Sequence, residues 1–97
     1  MRFATTRLAD QDIIDIYLDG VATFGFVQAE AYHLQLSELF ALLVHNPRMG
    51  RMHTEVEPPV RLLPFRAHVV LYTENDGDIL VLRILHGRMD WLRHLPG

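Results

Sequence analysis

The sequence predicts an α+β domain in which a helical hairpin packs on a mostly antiparallel sheet. The expected order is β-α-α-β-β-β with a short C-terminal tail. Three observations carry this. Ala29, Tyr32, Leu36, Leu39, Phe40 and Leu43 recur on one helical face. Asn75-Asp76-Gly77 separates two runs rich in β-branched and apolar residues, a strong hairpin signal. ILVLRILH, residues 79–86, is almost continuously apolar, as a central strand covered on both faces would be.

Each element has its own reasons. RFATTRL, residues 2–8, reads as a short strand from its threonines and aromatic residue. Asp10 is the expected helix N-cap, and Asp12 lies near the helix start, where acids are favoured. Ile13, Ile16, Tyr17 and Val21 then share a helical face, with Gly20 weakening the last turn and Gly25 ending the connection. The second helix spans about Val27 to His45 and stops at Asn46-Pro47, because proline cannot continue the hydrogen-bond ladder. PRMGRMHTEVEPP, residues 47–59, is expected to be a loop. Strands follow at 60–65, 67–73 and 79–86. Pro64 lacks a ladder donor, so its end of the strand is expected at an edge.

The 97 residues make one domain, residues 1–97. Apolar residues form 49% of the chain, which argues for a folded protein rather than a disordered one. Cysteine is absent, which removes thiolate chemistry and suits a reducing cytoplasm. No apolar run approaches the roughly 18 residues of a membrane span, and MRFATTRLADQD lacks the pattern of a secretory leader. All nine cationic side chains are arginine, so no lysine is available as a base or Schiff-base amine. Residues 1–46 carry Arg2 and Arg7 against six acids, whereas residues 47–97 carry seven arginines against six acids. The overall charge of −3 does not suggest nonspecific nucleic-acid binding, and no membrane partner is expected.

Several stretches carry a family likeness: DIIDIY (12–17), FGFVQAEAYHLQL (24–36), NPRMGR (46–51), PVRLLPFRAHVVLY (59–72) and RILHGRMDWLRHL (83–95). In this order they resemble the ParE toxins of the ParE/RelE superfamily, the toxin halves of type II toxin–antitoxin pairs. The resemblance implies a RelE/ParE-like fold and a cytoplasmic toxin held in a hetero-oligomer by a ParD-like antitoxin. It also implies poisoning of DNA gyrase, with the A subunit the expected contact, and a place in plasmid or chromosome maintenance. The joint between the first strand and helix looks short against that family.

The chemistry leaves two readings. In the first there is no catalytic residue, and the tail residues Arg88, Met89, Asp90, Trp91 and Arg93 contact the target. Arg and Trp dominate interface energetics and Met adapts to partner surfaces; the resemblance gives the same segment a role on gyrase. Against this stands a tail in which Trp91 and Leu92 fold back over the sheet. In the alternative reading, the chain is a RelE-like ribosome-dependent ribonuclease. Arg61, Arg83 and His86 would then converge at strand ends to hold a phosphate and move a proton. The simpler assignments are a structural ion pair for Arg83 and, for His86, a bond donated to backbone or to Asp90.

Ala31, Leu34 and Leu42 lie off the core stripe of the second helix, and Arg48 and Arg51 flank Gly50 in the loop. These five are the candidate antitoxin contacts, by a partner helix on the hairpin or a strand added to a free sheet edge. The competing expectation is that the leucines pack against the first helix and the arginines are merely solvated. The six histidines show no metal-ligand spacing, so neither metal nor cofactor is expected.

Overall fold

A computed structural model describes residues 2–95. β1 (Phe3–Thr5) leads into α1 (Arg7–Phe24) and α2 (Phe26–His45), followed by β2 (Arg51–His53), β3 (Val60–Phe65), β4 (His68–Asn75) and β5 (Asp78–His86). A single 3-10 turn, Trp91–His94, ends the described chain. The sheet order is β1-β5-β4-β3-β2, with β1 parallel to β5 and every other pair antiparallel. The expected α+β architecture is therefore what the chain adopts. No described helix is long and apolar enough to cross a membrane.

The first strand is shorter than residues 2–8, because Thr6 starts the helix. Its hydroxyl accepts from the Ala9 backbone N–H at 3.0 Å, so Thr6 is the N-cap and Asp10 lies inside the first turn. The same Thr6 hydroxyl donates to the Leu82 carbonyl at 2.6 Å. β1 covers β5 only at Ile79–Val81. Beyond that point the N-terminal part of α1 supplies partners that a strand would otherwise provide: Asp12 accepts the Ile84 backbone N–H at 3.0 Å. The short strand-to-helix joint is thus a built connection.

α1 continues through Gly20 to Phe24. Gly20 faces α2, where a Cβ would stand 3.4 Å from the Ala29 Cβ. A single residue, Gly25, joins them at φ 93° and ψ 165°, backbone that favours glycine. Ala29, Leu36, Phe40 and Leu43 are buried along α2, and they pack with Val70, Tyr72, Ile79, Val81 and Ile84 of the sheet. Val60, Leu71 and Leu85 form a smaller cluster with Val56, Leu82, Trp91 and Leu95. Leu71 and Tyr72 are neighbours in β4 yet belong to different clusters, so the clusters lie on opposite faces of the sheet.

β2 interrupts the expected 47–59 loop, its residues pairing Arg51↔Leu62, Met52↔Arg61 and His53↔Val60. Three residues rich in charge give no periodicity of their own, so only the partner strand makes them a strand. Their pairing stops at Leu62, and Pro64 lies beyond it on the free side of β3, as its missing N–H requires. At the β4–β5 hairpin, Asp76 at φ 53° and Gly77 at φ 85° make the two-residue turn that the Asn-Asp-Gly signal predicts.

Candidate functional site

The two strand arginines have opposite surroundings. Arg61 stands opposite Tyr72 and Arg83 opposite Leu71, which places them on different faces of the sheet. Arg83 makes a two-pronged contact with Asp12: Nε to Oδ2 at 2.7 Å and Nη2 to Oδ1 at 2.8 Å. Its Nη1 donates to the His94 carbonyl at 3.0 Å. Both side chains of the pair are little exposed, and the bond to Asp12 pushes the Arg83 pKa above its already high ordinary value. Arg83 therefore ties α1 to the tail, the structural ion pair expected of it.

Arg61 belongs to a second network. Its Nη1 donates to the Gly50 carbonyl at 2.8 Å. The buried Tyr72 hydroxyl accepts from the Gly50 N–H at 2.8 Å and donates to the Pro47 carbonyl at 2.8 Å. A Cβ on Gly50 would fall 2.8 Å from the Tyr72 ring, so only glycine fits. Asn46 caps α2 with its Nδ2 on the Leu42 carbonyl at 3.2 Å. The NPRMGR stretch is thus a helix stop followed by a loop bolted to β3 and β4. Arg48, Met49 and Arg51 are what it presents outward.

His86 closes the ladder opposite His68, at the other end of β4 from the Asn75 turn. Its Nδ1 accepts from the Arg88 backbone N–H at 3.2 Å, so the ring accepts from the backbone where donation to it, or to Asp90, was expected. The fold does not gather Arg61, Arg83 and His86. Two are committed to separate networks on opposite faces, and the third stands at a strand terminus.

The tail folds back. Gly87 is not in the left-handed region; a Cβ there would lie a tight 3.3 Å from the Ala67 carbonyl oxygen, to which its N–H donates at 2.8 Å. Trp91 packs edge-on against His53 with ring centroids 5.1 Å apart, and His53 pairs with Glu55 at 3.2 Å. Trp91 is half-buried, whereas Arg88, Met89, Asp90 and Arg93 are exposed. Asp90 and Arg93 approach each other at 3.5 Å across the turn. Of the five tail candidates, four face solvent and the tryptophan is a partial anchor.

On the hairpin, Ala31, Leu34 and Leu42 are all exposed, Leu34 at 59% and Leu42 at 47%, so the leucines are not buried against α1. With Val27 and Glu38 they make an outward stripe at the spacing of one helix face. Ile14 and Leu18, at 51% and 58% exposure, make a shorter one on α1.

A further group was not legible as a site. Under the hairpin tip lies a cavity of about 500 Å3, lined by residues of α1 and α2 and by Arg66, Ala67, His68 and His86. The Tyr32 hydroxyl stands 2.6 Å from His68 Nδ1, and the His68 and His86 rings are 5.7 Å apart. Burial, reinforced by His86, lowers the His68 pKa, and burial raises that of Tyr32. Only the strand register brings His68 beside His86. Among the described residues no group of three or more metal-ligating side chains occurs.

The helical hairpin packed on a mostly antiparallel sheet, with an outward apolar stripe and a folded-back tail, defines a small α+β domain. The chain matches the family model described as ParE toxin of type II toxin–antitoxin system, parDE, over residues 4–91. It is 38% identical over 95 residues to Toxin ParE1 of Mycobacterium tuberculosis (strain H37Rv), covering 97% of each chain. With Toxin ParE3 of Caulobacter vibrioides it shares 32% identity over 89 residues, 92% of this chain and 89% of that one. The solved structure titled chromosomal ParDE TA system from P. aeruginosa superposes with a TM-score of 0.74 at 29% identity, covering 89% of this chain and 95% of that one. The chain belongs to the ParE toxin family of type II toxin–antitoxin systems.

Proposed function

We propose that this toxin acts by protein–protein contact, poisoning DNA gyrase through the A subunit without catalysis, and that a ParD-like antitoxin neutralises it in a hetero-oligomer. Its site of action is then the cytoplasm, where gyrase works. The observation that carries the reading is the family match across residues 4–91. Supporting it, the trio that the ribonuclease reading requires, Arg61, Arg83 and His86, is divided between two structural networks and a strand end. The gyrase surface is assigned to Arg88, Met89, Asp90 and Arg93, with Trp91 seating the segment on His53. The antitoxin surface is assigned to Ala31, Leu34 and Leu42 on α2 and to Arg48 and Arg51 on the bolted loop.

A gyrase supercoiling and DNA-cleavage assay with antitoxin-free protein tests the target. Dose-dependent inhibition is expected, and Arg88→Ala/Arg93→Ala should abolish it while leaving Trp91 in place. Inhibition that survives this change removes the tail from the contact. No inhibition by a folded sample at large molar excess removes gyrase. For the antitoxin surface, Leu34→Ala/Leu42→Ala should weaken antitoxin binding at least tenfold, roughly 1.4 kcal/mol, with stability altered by less than about 0.5 kcal/mol because both side chains are exposed. Unchanged affinity would place the antitoxin elsewhere.

A further inference from the structure

The cavity under the hairpin tip is used by neither the tail nor the outward stripe of α2. At about 500 Å3 it lies within the size range of ligand pockets, roughly 300–1,000 Å3. Its walls are apolar: Ile13, Ile16 and Gly20 from α1, Ala29 and Leu36 from α2. Its polar residues are Tyr17, Asp19 and Thr23 of α1, Gln28, Tyr32 and His33 of α2, and Arg66, His68 and His86 of the sheet side. The Arg66 backbone, at φ 53° in the β3–β4 turn, sets the direction in which that side chain leaves the sheet.

The hydrogen bonds assign the histidine protons. The Tyr32 hydroxyl lies 2.6 Å from His68 Nδ1, and its single proton is best given to that nitrogen, since its other acceptor, the Phe65 carbonyl, is 3.5 Å away. The neutral His68 ring then carries its proton on Nε2, to which no described group bonds. His86 Nδ1 accepts the Arg88 N–H, so His86 also carries its proton on Nε2. No described carboxylate pairs with Arg66. The set is one guanidinium and two imidazole N–H donors beside an apolar space, a recognition chemistry for a carboxylate carried next to an apolar group.

We propose that this cavity is an antitoxin subsite: an apolar antitoxin side chain fills the space between the helices, and a neighbouring aspartate or glutamate meets Arg66, His68 and His86. The inference rests on the antitoxin reading above. Charge fixes the direction, because Asp19 of the α1 wall repels an acid that Arg66 attracts. It also gives the complex a pH signature. The charged and titratable groups around His68 are Tyr17 and Asp19 from α1, Tyr32 and His33 from α2, Arg66 from the turn and His86 from β5. A bound carboxylate favours the imidazolium form, so affinity rises as pH falls from about 7.5 to about 6.

The probe is the antitoxin that neutralises this toxin on co-expression. Its affinity is measured for the wild-type toxin, Arg66→Gln, His68→Gln and Ala67→Trp, and for antitoxins with each acid changed in turn to its amide. Arg66→Gln and one antitoxin amide should each weaken binding about tenfold, and the pair together no more than either alone. Ala67→Trp, which plugs the cavity without changing charge, should also weaken binding while its thermal unfolding stays close to wild type. His68→Gln should flatten the rise in affinity at low pH. Additive effects of Arg66→Gln with every antitoxin acid, or full affinity in Ala67→Trp, overturn the subsite. A wild-type toxin that binds no antitoxin removes the broader reading as well, whereas a tight complex indifferent to these variants overturns the subsite alone.

Discussion

The two faces of the sheet are held in different ways. One is covered by α1 and α2, whose buried residues interlock with Val70, Tyr72, Ile79, Val81 and Ile84. The other buries Val60, Leu71 and Leu85 under the β2–β3 connection and the tail, with Trp91 and Leu95 only partly covered. The helical face resembles an ordinary core. The opposite face is a short segment resting on a few contacts and on Arg83. Segments with few buried contacts open most easily, and surfaces that must engage partners are drawn from them. The helical side thus carries the larger packed core, and the tail side the smaller, less covered cluster.

Asp12 links the two sides, and removing it should have the largest effect. Asp12→Ala leaves the Arg83 guanidinium and the Ile84 N–H without their partner in a little-exposed setting. A loss of about 3–5 kcal/mol in urea unfolding is expected. A loss below about 1 kcal/mol would mean that the faces are not coupled through this pair. Gly50→Ala attacks the helical face alone, by driving a methyl into Tyr72, and should cost about 2 kcal/mol. Trp91→Ala addresses the other face. It should cost only about 1.5 kcal/mol but raise amide exchange selectively in residues 88–95. Uniformly faster exchange would show that the two faces unfold as one.

The smallest effect concerns pH. In the free toxin the folded-state pKa of His68 is depressed below its unfolded value of about 6.5. Its neutral form is therefore favoured by the fold, a contribution fully present above that unfolded value. It is lost as pH falls through the lower folded value, so the free toxin should be less stable in mild acid. His68→Gln should reduce that slope. The antitoxin complex should respond with the opposite sign if a carboxylate occupies the cavity.

Much of the fold was legible because its signals are local. The α2 stripe, the Asn-Asp-Gly turn and the proline stop after Asn46 each act over a few residues, and each appears where the sequence placed it. The helix start was misread because Asp10 and Thr6 are both good caps. What selects Thr6 is a contact with Leu82, far away in sequence. β2 was missed for a related reason, since Arg51–His53 is a strand only by virtue of β3. Among the candidate site residues, the exposure of Leu34 and Leu42 follows from helical phase, which the sequence contains. The half-burial of Trp91 on His53 does not.

By itself, then, the sequence determined the class of fold, the family likeness and the outward stripe of α2, all of which depend on short-range periodicity and turn chemistry. The tertiary structure alone decided that Arg61 and Arg83 part to opposite faces, that the tail returns to the sheet, and that Tyr32, His68, His86 and Arg66 surround one cavity. Those facts depend on strand register and on the crossing of two helices. Such long-range contacts are set by the packing of the whole chain, and no window of neighbouring residues encodes them.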